Sequence, residues 1–201
     1  QNAVAKPGSA GKAGINQHVR VAKLDAVSAE DVADPNEEGE IVALLASDEA
    51  FEGYWRRPDA DARSLRNGWY FTGDTGFRDQ DGDLFVTGRV DDMIITGGEN
   101  VSPVEIESCL SLHPAVSEVA VVGLPDEQWG KIVAAFVKRS AAVTEQELDQ
   151  FCRTSNLANF KRPRKFIFVD AIPKSPVGKL LRRMLVNGEY EPERAPPSNA
   201  A

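Results

Sequence analysis

Cysteine, long apolar runs and positive net charge are scarce or missing in this sequence, and each absence narrows what the protein can be. Only two cysteines, Cys109 and Cys152, occur among 201 residues. Both sit in helix-like sequence and neither stands at a metal-type spacing, so no disulfide framework is expected and a reducing, cytoplasmic setting is. Nowhere do about 18 apolar residues run together, and the opening stretch QNAVAKPGSAGKAG holds no apolar core of secretion-signal length. Neither a membrane span nor a leader is therefore expected. Net charge is −8, which argues against a general nucleic-acid binder.

What is present reads as a globular protein with a core: 42% of residues are hydrophobic and 27% charged, enough for one large or two small domains. Charge is unevenly spread. From Lys161 to Arg183 there are eight basic residues against one acid, Asp170. That segment is either a solvated basic face or an anion site.

Residues 1–17 are Gly- and Ala-rich without period and read as a loop or frayed start. HVRVAKL (18–24) and GEIVALLA (39–46) read as strands, and Asp59 to Leu65, after Pro58, as a short helix. GFRDQDGDLFVTGR reads as a hairpin with its turn at Asp81-Gly82. Its acids Asp79, Asp81 and Asp83 lack the glycine and closing glutamate of a calcium loop, so the turn reading is preferred. After residue 90, strands and helices alternate. Ser102-Pro103-Val104-Glu105 and Thr144-Glu145-Gln146-Glu147 both carry the capping-box pattern, and Ile106, Leu110 and Leu112 supply the first helix with its apolar face. EVAVVGL, KIVAAFVKR and KFIFVD read as strands and GKLLRRMLVN as a final amphipathic helix. The Pro-rich tail from 191 to 201 is expected to be disordered.

Three stretches then fall together in order: GWYFTGD (68–74), GRVDDMIITGGENVSPVEIE (88–107) and PKSPVGKLLRR (173–183). This order and spacing resembles the adenylate-forming superfamily of acyl- and aryl-CoA synthetases, luciferases and peptide-synthetase adenylation domains. Finer details, including DEQWG and NFKRP, resemble halobenzoate and related aryl-CoA ligases. The resemblance covers about residues 8–188. It implies an α+β chain: a β-rich remainder of a large AMP-binding domain at 18–90, then a small mobile α+β domain at 91–190. The family's phosphate loop and acyl pocket should lie before Gln1, so the 201 residues alone are expected to be inactive.

By resemblance, Asp74 binds both ribose hydroxyls of ATP, work suited to a carboxylate that accepts two hydrogen bonds. Arg89 contacts the nucleotide and Asp91 is the hinge. Lys179 contacts the substrate carboxylate and the α-phosphate, where a flexible cation can neutralise developing charge. Its surroundings lack the leading glycine and following Ser or Thr of a phosphate loop. Gly97 and Gly98 would lie against the pantetheine arm of CoA. Trp129 either lines the CoA site or simply fills core. Phe160, Lys161, Arg162 and Arg164 match a clamp for the CoA nucleotide, with Arg164 where the halobenzoate ligases carry lysine. The resemblance thus turns the basic segment into an anion site.

The implied reaction joins a carboxylic acid, aromatic by similarity, to CoA by way of an acyl-adenylate. It uses ATP with Mg2+ held mainly by the preceding part, and no metal ligands are assigned within these residues. Its partners are small molecules, with no nucleic acid and no membrane, and it leaves a homodimer open. Two other readings compete: an adenylation domain serving a carrier protein, and a non-catalytic nucleotide-binding module. The absence of a Ser-bearing carrier motif after the tail favours free CoA.

Overall fold

Alternating apolar residues in VRVAK and GEIVAL place one face of each strand in a small core, and the computed structural model, which describes residues 6–46 and 50–194, pairs them antiparallel. The chain divides into two units, Gln1–Asp91 and Asp92–Ala201. In the first, β1 (Val19–Lys23) lies against β2 (Gly39–Leu44). Helix α1 (Pro58–Ser64) starts with Pro in its first turn, and Asp59 and Asp61 complement its N-terminal dipole. Strands β3 (Leu65–Arg66), β4 (Trp69–Arg78) and β5 (Leu84–Arg89) follow. The sheet runs β1-β2-β4-β3, with β5 also paired to β4. Ala22, Ala29, Val42, Trp69 and Phe71 form its core. The guanidinium groups of Arg20 and Arg66 lie over the rings of Trp69 and Phe71, at 4.6 and 4.1 Å from the centroids.

The β4–β5 turn is longer than Asp81-Gly82. Arg78 pairs with Leu84, leaving a five-residue loop in which Gly82 has the positive φ, +80°, and Asp81 does not. The Asp79 carboxylate accepts the amides of Asp81 and Asp83 at 3.0 and 2.9 Å. The Lys6 amine sits among all three acids, bonded to Asp79, 2.6 Å from Asp81 and 3.3 Å from Asp83. Gly11 also bridges to Leu84. The opening segment is thus irregular but, from Lys6 onward, tied down rather than frayed. Residues 1–5 lie outside the described residues.

A turn of 3-10 helix, Val90–Asp92, leads into the second unit. A short hairpin comes first, β6 (Ile94–Thr96) and β7 (Glu99–Val101), then α2 (Pro103–Leu110). Strands β8 (Val116–Asp126) and β9 (Gly130–Arg139) precede α3 (Glu145–Thr154), β10 (Lys165–Phe168) and α4 (Arg182–Val186). The sheet order is β10-β9-β8, with β10 parallel and β8 antiparallel to β9. Residues 133–137 of β9 are buried without interruption, as a strand covered on both faces requires. Alternate residues serve opposite cores. Val121, Val133, Ala135 and Val137 pack with Ile106, Leu110, Leu148 and Cys152. Ala120, Val122, Ala134 and Phe136 pack with Val169, Ile172 and Leu185.

Four expectations fail, each for a specific structural reason. Thr144 and Glu147 form the reciprocal capping box, but the Ser102 side chain makes no cap bond to α2, and Glu105 turns instead to the Lys161 amine at 2.7 Å. Leu112 is 78% exposed because α2 ends at Leu110. The last helix is shorter than GKLLRRMLVN. The Ser175 amide bonds to the Lys179 carbonyl at 2.8 Å and Leu180 bridges to Lys174, so these backbone groups are spent in a hairpin. Finally, residues 191–194 are ordered. Pro192 bridges to Val169, and Glu193 forms a nearly buried fork with Arg139. Residues 195–201 lie outside the described residues.

Removing the Thr144–Glu147 capping box should cost helix stability. Thr144→Ala is expected to lower unfolding free energy by about 1 kcal/mol, read from urea midpoints at unchanged slope.

Candidate functional site

The first cluster is built by a fault in the sheet. Glu40 pairs with Thr75 and Val42 with Phe71, so Thr72, Gly73 and Asp74 all stand opposite Ile41. The extra residues bulge, and Gly73 adopts φ +73°, a conformation open to glycine. Asp74 and Arg89 are register partners, and Arg89 Nη1 donates to Asp74 Oδ1 at 2.7 Å. Both side chains stay partly exposed, so the carboxylate keeps lone pairs for a ligand. An open cavity of about 510 Å³ adjoins them, lined by Glu40, Tyr54, Arg66, Thr72, Arg89 and Asp91 among others. Tyr70 stands beside it in an aromatic group. It stacks on Phe51 at 4.5 Å and contacts the Tyr54 hydroxyl at 3.2 Å, and burial with that contact pushes its phenol up to about 12.

The second cluster belongs to the other unit. Gly97 and Gly98 are the whole β6–β7 turn, since Thr96 pairs with Glu99, and both have positive φ, +59° and +88°. Gly97 donates its amide to the Trp129 carbonyl at 3.1 Å, and a Cβ on Gly97 would lie 2.8 Å from the indole. The Arg164 guanidinium lies over the Trp129 ring, 4.5 Å from its centroid. Trp129 is half-buried, a platform at the β8–β9 turn rather than deep core. Phe160 is exposed, with the Lys161 amine 5.8 Å over its ring, while that amine is paired with Glu105. Arg162 lies 3.7 Å from Asp149, and its Nε is buried without a partner. A groove of about 470 Å³ is lined by Arg162, Arg164, Asn159 and Phe166, with the acids Glu145 and Asp149 sharing its wall. Gly97 and Arg164 therefore each meet Trp129, and Arg162 and Arg164 line the groove.

Lys179 stands apart from that cluster. Pro176 and Gly178, φ +81°, shape a tight turn closed by the Gly178 amide on the Ser175 carbonyl at 2.8 Å. Lys179 follows it, exposed, and its amine makes no hydrogen bond or ion pair with the described residues. The hairpin it ends is anchored by a pair that sequence reasoning left unassigned. Arg182 Nη2 forks onto both oxygens of Glu107, at 2.8 and 2.7 Å, and Arg182 Nη1 lies 3.7 Å from Asp92. Glu107 also accepts the Val121 amide at 2.8 Å. Burial pushes the Glu107 carboxyl upward, although that amide and Arg182 pull the other way. Glu107 lay inside the quoted motif, and its spacing on α2 from the buried Ile106 and Leu110 was the available signal. Among the described residues no group of three or more His, Cys, Asp or Glu could hold a metal ion, and no helix is long and apolar enough to cross a membrane.

Residues 105–179 match the family of AMP-binding enzyme C-terminal domains. The chain is 46% identical over 186 residues to a long-chain-fatty-acid–CoA ligase of Mycobacterium tuberculosis, covering 92% of this chain and 35% of the relative. It is 49% identical over 148 residues to a 4-chlorobenzoate–CoA ligase of an Arthrobacter species, covering 74% and 28%. Among solved structures, the o-succinylbenzoate CoA synthetase of Bacillus subtilis in complex with its acyl-adenylate intermediate superposes with a TM-score of 0.80 at 38% identity, over 90% of this chain and 36% of that one. The chain thus spans about a third of the length of the proteins it matches.

Breaking the buried pair should be costly. Glu107→Ala is expected to lose about 3–5 kcal/mol, because it strands the Arg182 charge. Glu107→Gln tests the sign of the pKa shift. A carboxyl whose folded pKa is raised above the ordinary 4.5 contributes most below that pH, and the contribution is lost as pH rises through the folded value. The penalty of Glu107→Gln should therefore shrink between about pH 4 and pH 7 in urea melts. A penalty that grew would mean that attraction to Arg182 outweighs burial.

Proposed function

With residues 105–179 a member of the AMP-binding enzyme C-terminal domain family, we propose that this chain is the C-terminal part of an ATP-dependent acid–CoA ligase. The carboxylate attacks the α-phosphate of ATP to give an acyl-adenylate and pyrophosphate. The CoA thiol then attacks the acyl carbon, giving the thioester and releasing AMP. Asp74 accepts hydrogen bonds from the ribose hydroxyls, and Arg89, bonded to it, orients that carboxylate and faces the nucleotide. Lys179 neutralises charge where the two anions meet. The Gly97–Gly98 turn with Trp129, Phe160, Lys161, Arg162 and Arg164 receives CoA, the cations facing its phosphates. Mg2+ accompanies ATP and is held mainly outside these residues.

The observation that carries this reading is the Lys179 amine, exposed after a tight turn and without a partner among the described residues. A buried or paired lysine would have to break contacts to meet an anion, and this one does not. An aromatic acid is supported by the 4-chlorobenzoate and 2-succinylbenzoate ligases among the relatives, at 49% over 148 and 46% over 182 residues, while the fatty-acyl ligase matches at 46% over 186. Turnover of the full enzyme on benzoates and alkanoates separates the two. A cytoplasmic setting accords with two free cysteines.

Lys179→Ala in the full enzyme is expected to slow adenylation by about 10²–10³, the usual worth of preorganised charge at a developing anion. Thioester formation from supplied acyl-adenylate should change little, and equal loss in both steps would remove Lys179 from its assigned role. We also propose Asp91 as the pivot, because the Gly97–Gly98 turn and Lys179 serve different steps and a few residues can absorb the change in φ and ψ between them. Proline fixes φ near −65°, so Asp91→Pro should spare adenylation and collapse thioester formation in single-turnover measurements. Two intact half-reactions would exclude the pivot.

A further inference from the structure

We propose that Glu40 is a positioning residue that holds the β4 bulge and so sets how Asp74 is presented to the nucleotide, an inference that rests on the nucleotide reading of Asp74. Three residues, Thr72, Gly73 and Asp74, face one residue of β2, so the ladder cannot serve all their amides. Two local bonds replace the ladder. The Glu40 carboxylate accepts the Gly73 amide at 3.0 Å. The Thr72 hydroxyl donates to the Ile41 carbonyl at 2.7 Å and accepts the Asp74 amide at 3.1 Å.

The bulge is also confined from its far side. A Cβ on Gly73 would lie 3.0 Å from Arg89 Nη2, the guanidinium that meets Asp74. Glu40, Gly73, Asp74 and Arg89 thus form one connected path from β2 to the carboxylate. Glu40 is half-buried and forms no ion pair among the described residues, although Arg66 and Arg89 act on it from a distance. Acids are rarely withdrawn from water without a charged partner. This one spends its acceptor on a single backbone amide and lines the cavity beside Asp74. A glutamate needed only for strand pairing would have no reason to point there.

Two measurements test this. In the full enzyme, Glu40→Ala should raise KM for ATP about tenfold, the order of one orienting hydrogen bond, with KM for the acid within about twofold. Glu40→Gln keeps a carbonyl for the Gly73 amide and should restore KM for ATP to within about twofold. In the 201-residue chain, the Gly73 amide should lose hydrogen-exchange protection in Glu40→Ala and keep it in Glu40→Gln. If Asp74→Ala raises KM for ATP while Glu40→Ala only lowers the melting temperature, the positioning role is overturned. A Gln variant as impaired as Ala would overturn it too, by showing that charge rather than the acceptor matters. If Asp74→Ala leaves KM for ATP unchanged, the nucleotide reading falls and takes this role with it. The exchange data would still report whether Glu40 holds the bulge.

Discussion

The second unit is organised around a guanidinium that has been taken almost entirely out of water. Arg182 is gripped by both oxygens of Glu107 and approached by Asp92, and Glu107 in turn takes the amide of Val121 from the central region of β8. One charge pair therefore fastens four separate pieces of chain: the residue that opens the unit, α2, the sheet, and the start of α4. Its desolvation is offset by Nη2 donating to both carboxylate oxygens and by the Val121 amide on the same carboxylate, although Nε is buried without a hydrogen-bond partner among the described residues. The turn bearing Lys179 lies just before this anchor, so an exposed, partnerless amine is displayed on a rigid support. The anchor is fixed so that the amine can be free.

The first unit makes the complementary choice. Its core is small and its sheet is deliberately irregular. The β4 slip against β2 costs ladder bonds, which Glu40 and Thr72 make good, and the return is a carboxylate standing clear of the sheet beside Arg89. A regular β4 would have put residue 74 back into strict alternation, with no room for the Gly73 bend. The candidate site residues Asp74 and Lys179 thus both stand beside local departures from regular structure, each braced by a partly buried acid, Glu40 or Glu107.

How much of this could be read from the sequence depended on range. Strands with clear alternation, the Pro58 helix and the Thr144 capping box were legible because local chemistry decides them. Ser102 carries the same capping pattern as Thr144, but Glu105 had a distant competitor in Lys161, and no local rule sees 56 residues ahead. The GKLLRRMLVN helix was over-read for a similar reason, since a helix-favouring composition lost its first turn to the Ser175 hairpin. Residues 191–194 of the tail were misread because their anchor, Arg139, lies in β9. Among the proposed site residues, Asp74, Arg89, Gly97, Gly98 and Lys179 lie in the three quoted motifs. Glu40 and Arg182 act by holding others in place, and holding leaves no motif of its own.

The contact between Gly97 and the Trp129 ring has a consequence for how such sequences can diverge. The indole occupies the space that any side chain at 97 would need, and the Arg164 guanidinium rests over the same ring. Position 97 is free to accept a larger residue only after 129 has shrunk, and a smaller 129 leaves the cation at 164 without its platform. The three positions, scattered over 68 residues of sequence from Gly97 to Arg164, are obliged to change in order or not at all.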